Sequence, residues 1–92
     1  MTLDIEIRLH PHARLRLAER GATEEEVISA VKFGERFEAK FGRVGFRREF
    51  TYNGMWQGRF YADKVVEAIA VEEDGWLVIT VLVKFQEEIP RP

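Results

Sequence analysis

Three residues in the segment "HPHARLRLAER", His12, Arg16 and Arg20, recur at a spacing of four. Each fourth residue of an α-helix lags the first by about 40°, so the three form one gently curving stripe. An imidazole exchanges a proton near neutral pH, and a guanidinium grips phosphate oxygens in a fork. Together they suit phosphate chemistry, with a proton carrier beside groups that brace developing negative charge. The competing reading is an ordinary polar helix face, since arginine is a good helix former and cations favour helix C-termini. His10 and His12 are two apart and do not share a helical face, so no metal pair is expected. Neither a cofactor nor a metal site is expected elsewhere.

A second set of residues lies further along. Trp56, Phe60 and Trp76 could stack on nucleobases, while Arg47, Arg59 and Lys64 could follow a phosphate chain. Tryptophans and arginines also anchor protein contacts, so a homodimer interface or a partly wetted sheet face competes with RNA binding. The net charge of −2 argues against indiscriminate nucleic-acid binding. It hides a polarised layout: residues 32–64 carry eight basic against four acidic side chains, and residues 65–92 carry two against six. Such a layout permits one positive face.

The elements that must hold these residues follow from periodicity. "LDIEIRLH" alternates Leu3, Ile5, Ile7 and Leu9 with polar residues, a strand with one buried face. Pro11 suits the first position of a helix running to Arg20, and Gly21 the position just past its end. Leu15 and Ala18, with Leu17 at the edge, are expected on its buried side. Thr23 and Glu26 form a capping box for a second helix, which buries Val27, Ile28 and Val31 and stops at Gly34. The period then becomes two. Phe37, Ala39 and Phe41 alternate in one strand, and Val44, Phe46, Phe50 and Tyr52 share a face with Arg48 in the next. Asn53-Gly54 predicts a hairpin turn, as does the segment 72–75. The long pattern between them is expected to break near Asp63.

Parity divides the last strand into Leu77, Ile79, Val81, Val83 and Phe85, expected beneath the helices, and Trp76, Val78, Thr80, Leu82 and Lys84 on the other face. Arg48 should leave its apolar row through a β-bulge or pair with an acid such as Glu49 or Glu67. The order predicts an α+β domain: an N-terminal strand, then two short helices packed on one face of a four- to six-stranded antiparallel sheet. Two helices cover one face only, so the other meets water, a subunit or a ligand.

The bulk composition fits one domain over residues 1–92, too small to spare a large cavity. The absence of cysteine excludes a disulfide framework, a thiolate nucleophile and cysteine-ligated zinc. No apolar run approaches the ~20 residues of a membrane span, so a cytoplasmic protein without a membrane partner is expected.

The order "H-A-R-x-R-x-x-x-R-G-x-[ST]-x-E-E-V" at 12–27, then "Y-N-G-M-W-Q-G-R-F-Y-A-D-K-V-V-E-A-I-A-V-E-E" and "V-I-T-V", resembles the bacterial and archaeal family catalogued as domain of unknown function 4258. The resemblance spans nearly the whole chain. It implies a layout similar to small α+β ribonuclease toxins of the RelE, barnase and colicin type. In that group an RNA 2′-hydroxyl attacks the adjacent phosphate without a metal. Carried over by residue, His12 and Arg16 match the helix signature, Arg20 its "R-G", Lys64 its "K-x-V-E" and Thr80 its "T-V". The last strand departs from the expected pattern: "T-V-L-V-K-F" lacks a tyrosine that could touch substrate.

Two expectations result. In the first, a metal-independent endoribonuclease uses His12 as general base or acid, Arg16 and Arg20 on the phosphate, Lys64 against the pentavalent intermediate and Thr80 as an orienting hydroxyl. Arg20, Arg47, Arg59, Trp56 and Trp76 would hold the RNA. In the second, the chain is a non-catalytic interaction module, joined to a second copy or an antitoxin-like partner through the uncovered sheet face.

Overall fold

A computed structural model describes residues 5–87 of the 92-residue chain. Leu3 and Asp4, expected in the first strand, lie outside them. The elements are β1 (Ile7–Leu9), α1 (Pro11–Arg20), α2 (Glu24–Phe33), β2 (Glu35–Glu38), β3 (Val44–Trp56), β4 (Arg59–Glu72) and β5 (Trp76–Gln86), with a 3₁₀ turn at Lys40–Gly42 between β2 and β3. One sheet runs in the order β1-β5-β4-β3-β2. The expected α+β architecture is what forms. The sheet is mixed, because β1 lies parallel to β5 while the other pairs are antiparallel.

Both helices begin and end where local chemistry dictates. Pro11 opens α1, and Gly21 closes it at φ 77°, a left-handed conformation that a side chain would strain. The α1 N-cap is His10, whose Nδ1 accepts from the His12 backbone N–H at 3.1 Å. In α2, Thr23 Oγ1 accepts from the Glu26 N–H while the Glu26 carboxylate accepts from the Thr23 N–H, which completes the capping box.

The core lies between the helices and one sheet face. Ala13, Val27, Ala30, Val66, Ala68, Ala70, Val78 and Val81 are fully buried there. Alanines on β4 let the helices approach closely. On α1 the buried side centres on Ala13 and Leu17, whereas Leu15 is 77% exposed, contrary to the expected face. The apolar pattern of so short a helix does not fix its rotation. Ala13 is what fits closest to the sheet.

Three strand expectations are corrected. The β3–β4 hairpin turns at Gln57-Gly58, with φ 50° and 81°, not at Asn53-Gly54; Asn53 (φ 44°) instead sits in an irregularity within β3. Two dipeptides here tolerate left-handed backbone, and pairing of the flanking strands selected the later one. β4 passes Asp63 without a break. The strand expected through Phe41 stops at Glu38, and Phe41 lies in the 3₁₀ turn at φ 61°.

The parity of β5 also changes partway. Ala70 pairs with Val78 but Ile69 pairs with Thr80, leaving Ile79 as an extra residue. This bulge puts Trp76 and Val78 on the helix side together with Val81 and Val83. Trp76 is thus a core residue, packed edge-on against Phe46 with ring centroids 5.1 Å apart. Leu77, expected in the core, faces away.

Candidate functional site: an open sheet face

The stripe of His12, Arg16 and Arg20 forms, but its members point to different surroundings. Each step of four rotates it toward the sheet. His12 is exposed at the start of α1. Arg16 pairs with Glu19 at 3.1 Å on the surface. Arg20 reaches β5, where its guanidinium donates to the Val81 carbonyl at 2.6 Å. That carbonyl lies on a side of β5 that β1, ending opposite Val78, leaves unpaired. Arg20 therefore closes a sheet edge.

Lys64 is 5% exposed on the helix side of β4. Its ammonium donates to the Gly21 carbonyl at 2.8 Å and meets Glu26 Oε1 at 2.8 Å. The rings of Tyr52 and Phe85 lie 5.1 and 5.9 Å from it. His12 and Arg20 are eight residues apart, about 12 Å along a helix. Lys64 is bound at the Gly21 end, so it shares no cleft with His12. Thr80 pairs with Ile69, which alternates with buried Ala68 and Ala70, and so lies on the opposite face from Lys64. The four expected catalytic residues are dispersed over two faces and two helix ends.

The expected RNA contacts divide as well. Arg20 and Trp56 line one shallow concavity with Gln57, Leu82 and Phe85. Trp56 is stacked on Phe85 at 5.1 Å, so one of its faces is occupied. Arg59 pairs with Glu87 at 3.0 Å. Arg47 pairs with Glu67 across the neighbouring strand, also at 3.0 Å. Trp76 is withdrawn into the core. Arg48 neither bulges out nor meets an acid: it stays on the helix side, donates to the Ser29 hydroxyl and lies over the rings of Phe33 and Phe50. Ser29 on α2, an interior helix position, carried no sequence signal for that contact.

What the fold does bring together is the sheet face turned from the helices. Cross-strand pairing orders it into rows. Gly45, Ile69 and Thr80 form one row, Arg47, Glu67 and Leu82 the next, and Glu49, Val65 and Lys84 the third. Arg8 and Leu77 pair beyond the first row, at the β1 edge. Val65, Ile69, Val71, Leu77 and Thr80 are half-buried, and Leu82 is 45% exposed. No helix among the described residues covers them.

Compared with protein-family models, curated proteins and solved structures, the chain finds no significant match. Among the described residues no helix is long and apolar enough to cross a membrane.

Proposed function

We propose that the chain is a protein-interaction module that pairs with a second copy of itself through the open sheet face. The observation carrying this reading is the apolar strip of Val65, Ile69, Val71, Leu77, Thr80 and Leu82 on β4 and β5, interrupted by the paired Glu67 and flanked by Glu49 and Lys84. These six side chains lie on two adjacent strands, β4 and β5, which stand about 4.8 Å apart. Exposed apolar surface rimmed by polar residues marks interaction sites.

Charge placement selects the second copy as occupant. Glu49 on β3 and Lys84 on β5 occupy one row, on either side of Val65. A two-fold axis along β4 lays β3 of each copy over β5 of the other. Glu49 then faces Lys84 twice, by symmetry, on either side of Val65, while Glu67 falls on the axis opposite its own copy and takes its countercharge from Arg47. Face-to-face sheets of this kind keep their strands within about 30° of alignment, and a two-fold contact is self-complementary. Arg47 and Glu67 neutralise each other at 3.0 Å and enter the contact as a pair.

The dispersal of His12, Arg16, Lys64 and Thr80 leaves strand cleavage by these groups without a common reaction centre. The interaction reading uses groups that do lie together.

Sedimentation equilibrium across micromolar concentrations is the test. The wild type should dimerise and Leu82→Glu should be monomeric with an unchanged circular dichroism spectrum. Lys84→Glu should weaken the dimer, and adding Glu49→Lys should restore it. A wild type that stays monomeric to hundreds of micromolar, or a charge swap that restores nothing, overturns the proposal.

A further inference from the structure

Of the eight basic residues between 32 and 64, three have a carboxylate partner, Arg48 is turned to the helix side over Phe33 and Phe50, and the other four fall within one segment. Arg47, Arg59 and Lys64 each have a carboxylate partner. Lys32, Arg36, Lys40 and Arg43 have none within 4 Å among the described residues. All four lie between the last turn of α2 and the start of β3, along the β2 edge of the sheet. Arg36 and Arg43 line the same concavity, with Phe37, Glu38, Ala39, Gly42 and Val44. Glu38 is the one acid on that lining.

An aromatic ring stands at the tip of this edge. Phe41 is 85% exposed, and its backbone is held at φ 61°, ψ 37°. A left-handed conformation strains a non-glycine residue, and exposing a phenyl ring forgoes the gain from burial. The turn bears both costs. Lys40 is its chain neighbour, and the Arg43 guanidinium lies 5.6 Å from the ring centroid. A second ring, Phe33, is 72% exposed at the end of α2, beside Lys32.

We infer that the β2 edge binds single-stranded nucleic acid, with Lys32, Lys40 and Arg43 on phosphates and Phe41 stacked on a base; Arg36 is engaged over the rings of Phe46 and Trp76, 6.0 and 5.2 Å away. Unpaired cations alone would suit any polyanion. The outward rings distinguish this surface, because a base offers a flat π-face and an extended strand offers regularly spaced charge. A ring flanked by cations also suits an anionic lipid surface, so lipid vesicles enter the test as the competing ligand. The surface borders the open sheet face at Phe37 but shares none of the residues proposed for self-association, so the two readings are tested by different variants.

The test uses the full chain and fluorescein-labelled 12-nucleotide oligo-U and oligo-dT, followed by anisotropy from 20 to 200 mM salt. Three phosphate contacts predict a slope of about −2 for log K against log salt. Lys40→Gln with Arg43→Gln should flatten it by about 1.4, at about 0.7 per contact. Phe41→Gly suits the left-handed turn, so it keeps the fold while removing the ring, and it should weaken binding at least five-fold. No binding at 20 mM salt overturns the inference, as does a Phe41→Gly variant that binds like wild type. Phosphatidylserine vesicles that bind as tightly and compete with the oligonucleotides would also overturn it, by revealing bare charge attraction. Equal affinity for oligo-U and oligo-dT supports stacking with phosphate contacts; preference for oligo-U supports an added contact to the 2′-hydroxyl.

Discussion

The ammonium of Lys64 lies 2.8 Å from Oε1 of Glu26, the residue that completes the α2 capping box. One carboxylate oxygen thus accepts from the Thr23 backbone N–H at 2.9 Å and meets a lysine from the middle of the sheet. With the bond from Lys64 to the Gly21 carbonyl, this ties the α1–α2 turn to β4.

Removing one member of a buried pair leaves the other uncompensated, which costs about 3–5 kcal/mol. Glu26 is partly solvated, so Lys64→Ala should lose about 3 kcal/mol in urea unfolding. Combined with Glu26→Gln, the double-mutant cycle should return a coupling above about 1 kcal/mol. Additive losses would show that the two groups act separately.

Gly21 and Gly58 both have positive φ, 77° and 81°, but different surroundings. A Cβ on Gly21 would lie 2.8 Å from the Phe85 ring and 3.1 Å from Trp56, whereas Gly58 has open space. Gly58→Ala should cost about 1 kcal/mol from backbone strain alone. Gly21→Ala should cost clearly more, because Phe85 and Trp56 must also retreat. Equal shifts in the urea midpoint would contradict this packing.

The tight hairpin turn at Gln57-Gly58 carries a glutamine at φ 50°, where asparagine is better tolerated. Gln57→Asn should therefore raise the melting temperature by about 2–4 °C, the shift expected for roughly 0.5 kcal/mol in a domain of this size. Calorimetry would detect it. The same substitution should leave dimerisation unchanged.

The two histidines should behave unlike each other. His10 caps α1 through Nδ1, so His10→Ala should lose about 0.5–1 kcal/mol, and His10→Asp should recover it. His12 is exposed and engages only its backbone in that cap, so His12→Gln should stay within about 0.5 kcal/mol of wild type. Chemical denaturation of the three variants checks both.

Local signals settled much of this protein in advance. Proline, glycine and the Thr23–Glu26 box fix helix ends through bonds between near neighbours, so α1 and α2 could be placed from residues 10–34 alone. The α+β architecture and the existence of an uncovered sheet face follow from two short helices and a run of strands. Long-range pairing decided the rest. Which dipeptide turns a hairpin depends on the register of both strands, and so does the extra residue Ile79 that sends Trp76 inward. The helical stripe was legible, but the rotation of α1 was set by how closely Ala13 approaches β5. That rotation left His12 in solvent and carried Arg20 to the sheet edge. Lys64 met Glu26 only because β4 passes beneath α2, a contact 38 residues apart in the chain. Charges distant in sequence neutralise according to tertiary proximity, and so the surviving positive surface is the β2 edge rather than the whole basic segment.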